Sequence, residues 1–252
     1  MTDAALTGRI RRLYDDTTRG WLDVWGDHLH HGYYGRRGDE RKNRRQAQVD
    51  MIEALLAWGE GPRTGAVRRI LDAGCGVGGS ARHLADALGA EVDGLTLSPV
   101  QRDLAVELSG GRDDVRFHVG DATDTGFEDG TFDLVWALES AEHMPDKQAF
   151  VEECARVLRP GGRLLAATWC HRPTPPELEE KERKRLQAIS AAYGDALTWV
   201  PLAEYAAIAE RLGLEHVKTD DWSAAVSPFW PAVIRSIFSL KGVRAVVGGG
   251  RT

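Results

Sequence analysis

The chain has 252 residues, 42% hydrophobic and 28% charged, with 38 acidic against 32 basic side chains and a formal net charge of −6. That balance excludes a disordered or fibrous chain and weighs against duplex nucleic acid, which draws a strong basic excess. No apolar run approaches the roughly 20 residues that cross a bilayer, so no integral membrane association is expected. The start, MTDAALTGRIRRLYDD, lacks the apolar core of a secretory signal. Three cysteines, Cys75, Cys154 and Cys170, form no C-x-x-C pair, so neither a disulfide framework nor a cysteine zinc site is expected. A cytoplasmic protein fits these features.

Residues 1–65 mix aromatic, histidine and basic side chains and are expected to form a helical lid and cap. Within them lies WLDVWGDHLHHGYYG, from Trp21 to Gly35. His28, His30 and His31 beside Asp27 suggest zinc, but no further ligand pair lies nearby, and no metal is expected. A basic run follows, Arg36 to Arg45, interrupted by Asp39 and Glu40, which a solvated face explains. QAQVDMIEALLAW then repeats apolar residues at helical spacing.

Residues 66–170 alternate short β-rich runs (RILDAG, EVDGLTLS, VRFHVGD, FDLVWALES, GRLLAATW) with helical stretches. This pattern predicts an α/β, Rossmann-like, doubly wound and mostly parallel sheet with helices on both faces. Residues 171–252 complete the same domain: a Pro-rich turn, two helices, a further strand LEHVKTDDW, and an aromatic end that would finish a ligand pocket.

The strongest local element is LDAGCGVGGS, residues 71–80, at the end of a strand and the start of a helix. Glycines there permit a tight turn and close backbone approach to a ligand at a helix N-terminus. Gly74, Gly76 and Gly79 satisfy G-x-G-x-x-G, so a nicotinamide oxidoreductase is one reading. Such a site wants a carboxylate at the tip of the second strand, where this chain has Leu95-Thr96-Leu97-Ser98 and then Gln101. The third strand ends in Gly120-Asp121-Ala122, and a carboxylate there can accept from an adenine amine.

Together with Arg159-Pro160-Gly161-Gly162, these pieces resemble class I S-adenosylmethionine-dependent methyltransferases. WGDHLHHGYY (25–34), GLTLSPVQ (94–101), LESAEHMPDK (138–147), TWCHR (168–172) and DWSAAVSPFWPAVIRS (221–236) further resemble tocopherol C-methyltransferases and related natural-product N- and O-methyltransferases. The resemblance covers Tyr14 to Gly242. It implies S-adenosylmethionine as cofactor and methylation of a hydrophobic small molecule, at a phenolic or chromanol ring carbon or at oxygen or nitrogen. It assigns the cofactor Asp72, Gly74, Gly76, Gly78, Asp121, Ala122, Leu138 and Tyr33, and places Tyr34 in a lid over the acceptor. GLTLSPVQ also resembles cyclopropane-fatty-acid and mycolic-acid synthases, which implies that Thr96, Leu97, Ser98 and Gln101 contact the cofactor. Relatives finish with an antiparallel last strand, for which only Val243 to Val247 remains here. Either that strand is missing, or a partner supplies it, or the chain is shortened. A methyltransferase-like module that binds without catalysis is therefore a further reading, and a homodimer an open one.

Methyl transfer from a sulfonium requires alignment and exclusion of water, with a base only where the acceptor must lose a proton. His143, after the fourth strand, is the leading base, since imidazole titrates near ~6.5. Glu139 is the second catalytic candidate, to hold an amino group or orient the acceptor. Trp222, Phe229 and Trp230 are expected to line an apolar acceptor pocket. Cys75 sits beside the glycine loop, with no neighbour to activate its thiol.

Overall fold

The computed structural model describes residues 3–59 and 67–231. Its centre is β4 (Phe132–Leu138), whose seven residues are all buried because helices cover both faces. β1 (Arg69–Ala73) lies beside it, followed outward by β2 (Glu91–Thr96) and β3 (Val115–Val119); β5 (Leu158–Ala167) flanks β4 on the other side. The five strands pair in parallel in the order β3-β2-β1-β4-β5, with Asp72 opposite both Gly94 and Trp136. β3, at the edge, buries Val115 and Phe117 and exposes Arg116 and Val119.

α1 (Asp3–Trp25) and α2 (Arg44–Trp58) precede the sheet. α3 (Gly79–Leu88), α4 (Pro99–Ser109) and α5 (Lys147–Val157) are the crossovers. Side chains start them: Asn43 accepts from Gln46 N, Ser98 from Gln101 N and Asp146 from Ala149 N, each satisfying a donor that the first turn leaves without a partner. Gly89 and Gly110 end α3 and α4 in the left-handed conformation. One core gathers Ile52, Leu55, Leu84, Val92 and Trp136 on one face, the other Leu71, Phe132, Phe150 and Val157 on the opposite face.

α6 (Glu180–Ala192), α7 (Leu202–Arg211) and the short α8 (Ser223–Val226) follow. The strand expected at LEHVKTDDW does not form: residues 214–222 are irregular and largely exposed. Its carboxylates and Lys218 stay at the surface, and no strand pairs with it. Val243 to Val247 lies outside the described residues.

The sheet order reverses between β1 and β4, so the loops after their C-terminal ends part there. In open α/β sheets that crevice takes the ligand.

Candidate active site

The glycine loop after β1 is built by close approach. Gly74 has φ +95°, and a Cβ on it would lie 2.3 Å from the Cβ of Ser140, which follows β4. Ser140 in turn donates its hydroxyl to Ala73 O at 2.6 Å. Gly74 N and Cys75 N both donate to Leu95 O at 2.9 Å. The loop is thereby stitched to the ends of β2 and β4.

A cavity opens above these ends. Its floor is Asp72, Gly74 to Val77, Gly79 and Ser80; one side is Thr96, Leu97 and Gln101; another is Leu138 to Ser140, His143 and Met144. Its roof is Ile10 and Tyr14 of α1 with Asp27 to His30. The roof is fastened at both ends. Ser98 donates to Asp15, Gln101 Nε2 donates to Thr18 Oγ1 at 3.2 Å, and the Thr96 hydroxyl donates to Gln101 Oε1 at 2.7 Å. On the other side, Gln48 donates to His28 O and His30 O at 2.5 and 3.1 Å. A Cβ on Gly79 would meet Asp27 O at 2.1 Å, so only glycine lets this segment rest on the loop.

Asp72 is 2% exposed, and its Oδ2 has no partner among the described residues. Burial pushes its carboxyl up to about 7. A buried acid with one backbone partner, Ala81, and one oxygen left without any, beside bare glycine backbone, fits a ligand that carries positive charge and polar donors. S-adenosylmethionine, a sulfonium with an α-amino group, is such a ligand. Asp72, the glycine loop, Thr96, Gln101 and Leu138 would hold it.

The two catalytic candidates are both in the wall, each with its polar atoms engaged. His143 Nδ1 lies 3.0 Å from Ala196 O, which can only accept, so Nδ1 carries the proton. Nε2 then accepts from the Tyr14 hydroxyl at 2.7 Å. Burial holds the imidazole down to about 4. His143 is thus neutral with its lone pair occupied, and the base role expected of it does not fit this geometry. Glu139, at φ +52°, accepts from His31 N at 3.1 Å and lies 2.8 Å from His31 Nδ1. Burial opposes ionisation of both partners, but their mutual attraction and hydrogen bonds prevail: Glu139 is held below the usual carboxylate range and His31 above the usual imidazole range.

Beyond Glu139 the rings gather. His31 lies 4.5 Å from Phe229, 5.0 Å from Trp169 and 5.2 Å from Trp230 between ring centroids. Trp169 also packs on Tyr193 and Trp199. Phe229 and Trp230, two of the residues expected to line an acceptor pocket, thus pack on His31, outside the cavity wall, while the third, Trp222, lies apart from them. It packs on Tyr33 and Trp58 at 5.3 and 6.4 Å, and its indole donates to Asp220 at 3.0 Å. Tyr33, held on Trp222, is outside the cavity wall, and Tyr34 is buried against Ala47 and Phe229. The roof falls instead to Tyr14 and His28 to His30. Ser98, Gly78, Asp121 and Ala122 are also not in the wall. Ser98 caps α4 and ties down α1, while Asp121 Oδ1 accepts from Thr123 N and Oγ1 at 2.9 and 2.8 Å. The basic run is spread over ion pairs, among them Arg36–Asp220 and Lys42–Glu40.

Sequence reasoning missed Tyr14, Trp169, Tyr193 and Lys147. Lys147 is 5% exposed and donates to Ala141 O, Met144 O and Thr198 Oγ1, which pins the turn that carries His143. Only its place one residue after a helix-capping Asp146 marks it in the sequence.

Residues 71–166 match the model of a methyltransferase domain. The chain is 45% identical over 250 residues to a probable chloroplastic tocopherol O-methyltransferase of Oryza sativa subsp. japonica, covering 96% of this chain and 69% of that one. It is 39% identical over 258 residues to the chloroplastic tocopherol O-methyltransferase of Arabidopsis thaliana, covering 98% and 74%. Among solved structures it resembles a geranyl diphosphate methyltransferase in complex with GPP and sinefungin. There the TM-score is 0.77 at 25% identity, covering 96% of this chain and 92% of that one. The two plant relatives overturn the cytoplasmic expectation, since both carry chloroplastic names. No helix among the described residues is long and apolar enough to cross a membrane.

Proposed function

This chain belongs to the class I S-adenosylmethionine-dependent methyltransferases, near the tocopherol methyltransferases, and on that premise we propose that its acceptor is a phenol of the chromanol kind. It is an enzyme that uses S-adenosylmethionine to methylate a small hydrophobic molecule. The observation that carries the finer reading is the aromatic cluster of Trp169, Phe229 and Trp230 around His31, next to the Glu139 side of the cavity. Flat rings and one buried charged pair suit an aromatic acceptor with a single polar group.

When bound, S-adenosylmethionine supplies a methyl group already activated on a sulfonium. The chain's residues have only to align the acceptor, exclude water and manage a proton. Tyr14, latched to His143, and the segment from Asp27 to His30 shut the cavity from above. Asp72 answers the positive charge. In the same reading Asp121, at the end of β3, takes the adenine amine, and Asp121→Ala would weaken cofactor affinity by about 1–3 kcal/mol. A homodimer belongs to this reading as well, supported by the exposed apolar Val106, Leu108 and Val119; light scattering tests it.

Thermal unfolding with S-adenosylhomocysteine and with NADH, followed by mass spectrometry of a chromanol incubated with the methyl donor, tests the reading. A ligand at 100 times its Kd adds about 2.7 kcal/mol. Stabilisation by S-adenosylhomocysteine alone and a product 14 mass units heavier are the expected results, the increment being about that of one CH₂ in place of none. Stabilisation without any methylated chromanol would overturn the chromanol reading.

A further inference from the structure

Four histidines surround the cavity region, and their hydrogen bonds separate their roles. His143 has both ring nitrogens engaged, by Ala196 O and by Tyr14. His31 is tied to Glu139. His28 has Nδ1 without a partner among the described residues, and nothing fixes which of its nitrogens carries the proton.

His30 differs from all three. It lines the cavity and is 7% exposed. Its Nδ1 lies 2.8 Å from His31 O, and a carbonyl only accepts, so Nδ1 carries the hydrogen and Nε2 the lone pair. Nε2 is buried and has no partner among the described residues. The backbone that carries the ring is held by Gln48, itself fully buried, which donates to the carbonyls of His28 and His30. The charged and titratable groups that face it are Glu139 after β4, His31 and His28 on its own segment, and His83 of α3. Burial lowers its affinity for a proton more than Glu139 raises it, so the ring is neutral near pH 7.

His30 and His31 are consecutive, one ring in the cavity wall and the next among Trp169, Phe229 and Trp230. The peptide between them marks the border of cofactor cavity and aromatic cluster. Resting on the acceptor reading above, we propose that His30 is the proton acceptor of the reaction, its Nε2 taking the proton of the acceptor's phenolic hydroxyl. The O–H bond breaks, the proton bonds to Nε2, and the electron pair stays with the oxygen and ring. A ring carbon or the oxygen bonds the methyl group as the methyl–sulfur bond breaks, that pair remaining on sulfur. After attack by carbon, the displaced ring hydrogen returns to the oxygen and the phenol re-forms. His30 releases its proton to water, so one methyl is gained and one proton freed. Glu139 offsets the charge of the protonated ring in between.

The test uses the full chain, S-adenosylmethionine, and chromanols and phenols of graded acidity. His30→Gln keeps a hydrogen-bonding end but takes no proton. At saturating S-adenosylmethionine it is expected to lower turnover of a weakly acidic chromanol on the order of 10²-fold and to erase the acid limb of the rate–pH profile. A nitrophenol already ionised at the assay pH is expected to restore the variant's rate, which a merely structural role would not do. The wild type alone gives the same contrast, because its acid limb should vanish with the ionised phenol. Turnover within a few-fold of wild type at saturating S-adenosylmethionine, or a retained acid limb, would each overturn the assignment. So would an enzyme that methylates only a tertiary amine, which has no proton to lose; that result leaves the family intact. A wild type that does not bind S-adenosylhomocysteine would instead strike the reading on which the inference rests.

Discussion

Tyr14 on the first helix donates its hydroxyl to His143 Nε2 at 2.7 Å, across 129 positions of the chain. The pair joins the roof of the cavity to its wall, with the rings edge-on at 5.4 Å. His143 is thereby a fastening for α1, and the chemistry expected of it has to be sought elsewhere in the wall.

Tyr14→Phe should therefore loosen the roof and leave Nε2 of His143 without its donor. The expected loss is about 1–2 kcal/mol, seen by calorimetry as S-adenosylhomocysteine binding up to about 20–30-fold weaker. Unchanged affinity would mean that α1 closes nothing.

The buried histidines give the fold a pH signature. His143 is held at about 4 and His28 at about 3, both by burial, against 6.5 for an exposed imidazole. With folded values depressed, the unfolded chain binds the extra protons first, so this contribution is present above pH 6.5 and is lost as pH falls toward 4 and below. His143→Gln should have a shallower fall of melting temperature between pH 6.5 and 4 than the wild type. Parallel curves would show that His143 is not held neutral by the fold.

Asp72 acts in the opposite sense. Its folded value is raised to about 7 by burial, which outweighs a backbone hydrogen bond from Ala81, so above that pH the folded chain carries a desolvated charge whose Oδ2 has no partner among the described residues. Asp72→Asn should raise the melting temperature of the ligand-free protein at pH 8, lose that gain as pH falls through 7 toward 4, and weaken S-adenosylhomocysteine binding. A lower melting temperature at pH 8 would remove Asp72 from the role of waiting counter-charge.

The His31–Glu139 pair stabilises in a window. Its carboxylate is depressed and its imidazole raised, so both are charged from about pH 4.5 to about 6.5 and beyond. The benefit is lost as pH falls through the Glu139 value and as it rises through the His31 value. Glu139→Gln should destabilise most inside that window, which chemical denaturation at pH 5.5 and pH 9 would reveal; equal losses at both would argue against a charged pair.

Gly74→Ala tests the joint between β1 and β4. The φ of +95° and the 2.3 Å approach to Ser140 leave no place for a methyl group. A loss of more than about 1 kcal/mol is expected, with cofactor affinity falling alongside. A stable, ligand-competent variant would show that the two loops can part.

Much of the scaffold was legible because it is local. Alternating strand and helix patterns between Arg69 and Ala167 are periodicities of a few residues, and the glycines of LDAGCGVGGS announce their turn directly. The segment 214–222 was misread because its short β-like pattern carries no information on whether a strand is there to pair with it. The site divides in the same way. The sequence by itself determined the parallel sheet, the glycine loop and the neutral Thr96 and Gln101 beside it, and its family resemblance implied the cofactor. The tertiary structure alone decided that Tyr14 occupies His143, that Trp169 and not Trp222 borders His31, and that the buried Nε2 of His30 has no partner among the described residues. Those are choices among chemically identical side chains, made by which surfaces pack across about a hundred residues of chain, and no spacing along the sequence encodes them.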